Sequence, residues 1–291
     1  MKHQLHVSGL EALARCGIAY ERRNIRGERI PPSARMVVGT AVDRSARASV
    51  GSRIPDHLAF PIPLPLDQAQ TIARDALVHE WENGVRLTED DKDDGITTRD
   101  KAIDTSVSLA KLHYQQVAPK LKPSHVARKF VLDVPTLNIQ LAGEIDIQEG
   151  LVSIRDTKTS GKSPQKDLAH ESLQLSGYAL AVRQLDGRAP QKVVLDYLIQ
   201  TPKRKDTKLV QLESVRHDEH LEPVIQRLAV MDKIIGSGLF TPAPIGAWWC
   251  AKKYCGFWET CPYAARPISV PVPDLETTLK ASLKQRGIHA V

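Results

Sequence analysis

The sequence predicts an α/β fold, a mixed sheet flanked by helices, and three observations predict it. Short runs rich in β-branched and apolar residues read as strands: Val126 to Val134, Leu137 to Ile147, Val193 to Gln200 and Lys208 to Val215. Longer segments repeat apolar residues at helical spacing: Ala34 to Ser49, Leu66 to about Gly84, Thr97 to about Gln116, about Gln165 to Gln184, and Asp218 to Ile235. The composition, 42% hydrophobic and 25% charged over 291 residues, suits one compact core and supplies too few long apolar runs for a membrane span.

Taken in order, Leu10, Leu13, Ala14 and Ile18 recur at helical spacing after Ser8, a suitable N-cap, so Cys16 falls near the end of a first helix. The helix from Ala34 carries Gly39-Thr40-Ala41-Val42-Asp43. Pro55, Pro61, Pro63 and Pro65 then forbid helix and predict an extended connector from Ile54 to Pro65. The acidic run Glu89 to Asp94 invites a calcium-loop reading. That reading fails, because with Gly95 as the loop's fixed glycine the third and twelfth positions are Lys92 and Lys101. Gly236 and Gly238 end the last long helix, and Pro242 and Pro244 lead into a cysteine-bearing lobe. Pro267 to Pro273 reads as a tail, with a short helix from Asp274 to Gln285. A single domain is expected, with N-terminal helices over 1–50, a helical insertion over 51–125, a catalytic sheet and helix over 126–216, the helix and cysteine lobe over 217–265, and a tail.

The chemistry concentrates in Gly143-Glu144-Ile145-Asp146-Ile147 and Asp156-Thr157-Lys158, joined by a turn at Gln148-Glu149-Gly150. In a strand Asp156 and Lys158 project from one face, roughly 6 to 7 Å apart, while Thr157 points away. Asp146 joins them if its strand pairs alongside. Two converging carboxylates repel, so such a pair holds a cation or stays solvated. All-oxygen ligands select Mg or Mn, and a neighbouring amine can position water or stabilise charge on a phosphate. The alternative is a solvated hairpin with a surface ion pair. Gln174 and Tyr178, four apart on the following helix, share a face that can turn toward Lys158.

These elements together resemble the PD-(D/E)xK nuclease superfamily. Its RecB-like branch carries Gly-x-x-Asp, then (Asp/Glu)-x-Lys on the next strand, then Gln-x-x-x-Tyr on the following helix. The resemblance implies a restriction-endonuclease-like core, with Asp146 and Asp156 as Mg or Mn ligands and Lys158 as the catalytic amine. It implies too that Gln174 and Tyr178 contact DNA and orient the lysine. Thr157 joins the expected metal ligands, and so does Asp43, which stands where many RecB-like nucleases have a histidine. Asp43 is equally readable as an unrelated surface acid, with His79 and Glu80 as substitutes. The implied activity is metal-dependent DNA exonuclease cleavage of single-stranded or end-frayed DNA, in phage or prokaryotic recombination, with a recombinase or annealing protein as a compatible partner. No Gly-x-x-x-x-Gly-Lys-Ser/Thr motif supplies a nucleotide motor.

Cys250, Cys255 and Cys261 cluster late in the chain and Cys16 stands alone near its start. This three-plus-one distribution suits a tetrahedral four-cysteine site, zinc or a four-iron cluster, tying the chain's two ends together. No secretory signal lies within Met1 to Tyr20, which disfavours disulfides and leads to a cytoplasmic expectation. The RecB-like members with an iron–sulfur cluster, including the AddB nuclease domain and the nuclease of CRISPR adaptation, place one cysteine before the core and three after it. That resemblance implies a 4Fe-4S cluster, with zinc as the alternative. Trp248, Trp249, Tyr254, Phe257 and Trp258 would shield it. A formal charge of +6 suits a polyanionic partner. Arg22, Arg23, Arg26 and Arg29, and Lys203, Arg204, Lys205 and Lys208, can each track phosphates or simply face solvent. Two further readings remain: a catalytically silent DNA-binding relative, and a zinc-stapled interaction module.

Overall fold

The structure is a computed structural model that describes residues 2–54, 62–88, 91, 95–201, 206–264 and positions 276, 277, 280, 281 and 284. Most of the proline connector, the acidic run, Lys203 to Lys205 and nearly all of the C-terminal helix and tail fall outside these residues.

Six strands form one mixed sheet: β1 (His3–His6), β2 (His125–Asp133), β3 (Ile139–Glu149), β4 (Ser153–Ser160), β5 (Lys192–Gln200) and β6 (Thr207–Ser214). β3 is its longest strand and its pivot. Antiparallel β2 covers one edge of β3, from Gln140 to Gln148. The other edge is shared. Parallel β1 pairs with Ile139 to Ala142, and antiparallel β4 pairs with Ile147 to Glu149. Between those two ladders, Gly143 to Asp146 have no strand paired on this edge, and this opening in the sheet is where the pocket forms.

The long helices are α1 (Val7–Arg15), α3 (Ala34–Gly51), α4 (Leu66–Glu82), α5 (Gly95–Gln116), α7 (Leu173–Asp186) and α8 (Asp218–Ser237), with single-turn helices α2 (Gly17–Tyr20) and α6 (Leu168–Glu171). One apolar core gathers Leu10, Leu141, Ile145, Leu175, Val182 and Leu228, from α1, α7, α8 and the sheet. A second joins α3, α4 and α5 to the sheet through Val38, Val42, Leu77, Leu109, Ile147 and Leu198. Helices therefore cover both faces, as the parallel pairing of β4 with β5 around α6 and α7 requires.

Several local expectations are corrected. β1 was not foreseen: its four residues hold one apolar side chain, Leu5, and only its parallel partner makes it a strand. The first helix consequently starts at Val7 behind His6, so Ser8 is inside it and is not its cap. The helix expected over Gln165 to Gln184 is two helices. Ser172 interrupts it, accepting the Leu175 amide at 3.2 Å and capping α7 afresh. The β3–β4 turn sits later than expected, because Gln148 and Glu149 are paired strand residues and the chain reverses at Gly150, whose φ is +54°.

Candidate active site

Asp146 lies on β3 beside the opening, and Asp156 and Lys158 lie on β4. The Asp146 carboxylate spans the missing ladder, accepting the Thr157 backbone N–H at 3.2 Å through Oδ2. Asp156 is 2% exposed, and its Oδ2 lies 2.7 Å from Lys158 Nζ. Lys158 also donates to Gln174 Oε1 at 3.0 Å, and Gln174 Nε2 donates to Tyr178 Oη at 3.0 Å. The two strands and α7 thus present one continuous relay of contacts around a cavity of about 320 Å³. The Thr157 hydroxyl is buried without a partner.

Close packing sets this arrangement. A Cβ on Gly143 would stand 2.7 Å from Phe130 Cζ and 3.2 Å from Val7 Cγ2, and one on Gly177 would stand 2.9 Å from Val7 Cγ1. Only glycine lets the start of α1 seat between β3 and α7, where His6, Val7 and Ser8 form part of the cavity wall.

Arg47 was not singled out from the sequence. It sits one helical turn after Asp43 on α3, with Nε 2.7 Å from Asp43 Oδ2 and Nη2 donating to Asp146 Oδ1 at 2.9 Å. Nη1 pairs with Glu144. The only local signal for it was the i,i+4 spacing from Asp43. Asp43 is therefore no stray surface acid. Burial and the charge of Asp146 push its carboxyl up to about 6, against the pull of Arg47. Burial likewise raises Asp156 above the carboxylate range, opposed by Lys158 and reinforced by Asp146 and Asp43. Burial works against the charge of Lys158, but Asp156 outweighs it and the ammonium is held more firmly than usual. Burial raises Tyr178 as well, followed by the charge of Asp156.

The donor set fits a hard cation. Four acids, Asp43, Glu144, Asp146 and Asp156, face three cations, Arg47, Lys158 and the exposed Lys129, and Asp43 Oδ1 is buried with no partner. An unpartnered carboxylate oxygen among clustered acids is the donor chemistry of a hard divalent ion. Among the described residues no three His, Cys, Asp or Glu side chains already converge on a single ion position. The acids are drawn instead to Arg47 and Lys158. His79 and Glu80 stand apart from the cavity, the first exposed and the second paired with Arg44.

The four cysteines, all free thiols, line a second and mainly apolar pocket with Ile18, Phe257 and Trp258. Cys16 caps α2, its Sγ accepting the Ala19 amide at 3.4 Å. Burial pushes the Cys255 thiol up, and the neighbouring Cys16, Cys250 and Cys261 add to the rise. Of the basic cluster after Cys16, Arg22 is committed to Glu28 and Thr260 and lies 4.4 Å over the Phe257 ring, and Arg26 is committed to Glu21. Arg23 and Arg29 are exposed.

Acids and a lysine on neighbouring strands of a mixed sheet, with an amide and a phenol on the helix behind them, define a nuclease-type site. The chain belongs to the PD-(D/E)XK nuclease superfamily, whose family model matches residues 4–262. Among solved structures it resembles a candidate exonuclease from Eubacterium rectale, with 14% identity, 96% of this chain and 93% of that chain covered, and a TM-score of 0.51. That likeness shows the fold alone. The structure of SSO0001 covers 91% of this chain and 88% of its own at 16% identity, with a TM-score of 0.41. No curated protein matches this chain in sequence. Among the described residues no helix is long and apolar enough to cross a membrane.

Proposed function

We propose that this nuclease is a metal-dependent DNA exonuclease, and the observation that carries the reading is the relay from Asp156 through Lys158 and Gln174 to Tyr178 beside Asp146. Asp146 and Asp156, with Asp43, would hold a divalent ion, Mg or Mn. Bound there, such an ion supplies a water of lowered pKa and neutralises charge on the phosphate. Lys158 acts as a fixed positive donor toward the phosphoryl oxygens, aimed by Gln174, which Tyr178 holds in turn. Arg47 keeps Asp43, Glu144 and Asp146 together against their mutual repulsion. The Thr157 backbone N–H holds Asp146 in place.

The cysteine pocket is read in the same proposal as a structural 4Fe-4S site. Its support is that segments more than 230 residues apart in sequence bring all four thiols to one pocket with no disulfide among them. Iron and inorganic sulfide in the purified protein are the expected finding, and zinc in their place would overturn it.

Digestion of end-labelled linear DNA and closed circular DNA with Mn or Mg tests the activity. The linear substrate should shorten from its ends while the circle survives, and Lys158→Ala should slow the reaction about a thousandfold. Equal cutting by both proteins, or prompt nicking of the circle, would sink the reading.

A further inference from the structure

We propose that Trp248 and Tyr254 form a stacking platform for the bases of an unpaired DNA strand, on the cysteine lobe outside the acid pocket. This rests on the nuclease reading and specifies its substrate as single-stranded.

Trp248 is 65% exposed and Tyr254 48% exposed, an unusual amount of aromatic surface to leave in water. Neither ring is loosely hung. They meet edge to face at 5.0 Å, and Trp248 meets Trp249 in the same manner at 5.7 Å. Trp249 is anchored by its indole N–H, which donates to the Arg15 carbonyl at 3.3 Å. A fixed aromatic pair with this much exposed ring surface is the feature on which bases stack whatever their sequence.

The charge around the pair selects the occupant. Lys253 Nζ lies 5.5 Å over the Tyr254 ring, and the neighbouring Lys252, exposed, is paired with Glu259 at 2.9 Å. The basic turn bearing exposed Arg23 packs on the same lobe through Arg22 and Phe257. A π surface edged with cations complements a strand that offers base faces and phosphates together, and the formal charge of +6 agrees in sign. The platform and the acid pocket also lie at opposite ends of one helix. Arg15, which anchors Trp249, closes α1, and Val7 and Ser8 at the opposite end of α1 form the pocket wall. At 1.5 Å per residue the helix separates the two places by roughly 12 Å. A strand lying along α1 would reach both.

The test is fluorescence anisotropy of a labelled oligothymidylate, and of a duplex of equal length, with the purified protein in EDTA so that nothing is cut. Trp248→Ala and Tyr254→Ala should each weaken single-strand binding about tenfold while duplex binding stays within about twofold. The slope of affinity against salt should not change, because no ion pair is lost. Trp248→Phe, which keeps a ring, should bind more tightly than Trp248→Leu, which keeps only apolar bulk, and this comparison holds even where the alanine variant folds badly. Anisotropy in EDTA reads binding alone, so a failed nuclease reading would appear in the cutting assay and not here. Unchanged single-strand affinity in the alanine variants would overturn the proposal. So would equal binding by the Phe and Leu variants, or a wild-type dimer that Trp248→Ala dissociates.

Discussion

In the acid pocket each carboxylate is met by a lysine, an arginine or a backbone amide, whereas the cysteine lobe gathers four thiols around an apolar hollow and leaves the rings of Trp248 and Tyr254 in water. The first region stands on regular structure. Its distances are fixed by the register of β3 with β4 and by helices packed on both faces. The lobe, among its described residues after Phe240, has one 3-10 turn, Trp258–Thr260, and one buried apolar side chain, Phe257. The contrast teaches that the pocket can keep its shape without a ligand, because protein cations already balance most of its charge. The lobe has too little apolar burial to do so, and under the proposed function its order would depend on what the thiols hold.

The largest effect that would break this contrast is loss of the lobe alone. If the thiols hold a metal as proposed, Cys255→Ser should abolish its binding and speed trypsin cleavage near Lys252 and Lys253 about tenfold or more, while the sheet keeps its melting transition. A single transition that falls as a whole would mean that the two regions are one cooperative unit.

Acid should act the other way, striking the sheet and sparing the lobe. His113 on α5 is fully buried against Arg155 and Asp196, and neither ring nitrogen has a partner. Burial lowers its pKa from 6.5 to about 4, with Asp196 pulling it up and Arg155 pushing it down. As pH falls the unfolded chain takes the proton first. This contribution to stability is therefore complete above pH 6.5 and lost toward pH 4, on the order of 3 kcal/mol. Urea unfolding at pH 7 and pH 5 should show a change in the wild type that is less favourable at pH 5 than the change in His113→Leu, the raised carboxyls of Asp43 and Asp156 opposing the loss equally in both proteins. Parallel curves would remove His113 as the cause.

The smallest effect compares two tight glycines. Alanine at Gly143 meets the ring of Phe130, which packs edge-on against Tyr178 at 6.3 Å, so the strain passes toward Gln174 and Lys158. Gly143→Ala should cost about 2 kcal/mol and slow cleavage about tenfold. In the lobe, alanine at Gly256 meets only the Ile30 side chain. Calorimetry should show the smaller loss there, with activity unchanged, and a reversed order would contradict the difference in rigidity.

How much of this was legible in the sequence differs by residue. Alternation and turn chemistry placed Asp146, Asp156 and Lys158 on neighbouring strands, and four-residue spacing put Gln174 and Tyr178 on one helical face, since both patterns are local. The contact of Gln174 with Lys158, and of Tyr178 with Gln174, could be anticipated on those grounds. The start of α1, the break at Ser172 and the later β3–β4 turn could not, because each depends on a cap or a pairing that periodicity does not record.

By itself the sequence determined the strands and helices with strong periodicity, the acid and lysine set, and the membership that residues 4–262 carry. Only the tertiary structure decided that β1 and β4 divide one edge of β3, that Arg47 reaches three acids across that opening, and that Cys16 meets the distant cysteines. The physical reason is that side-chain periodicity specifies which face of a segment is buried. Which distant segment covers that face is settled only when the whole chain packs.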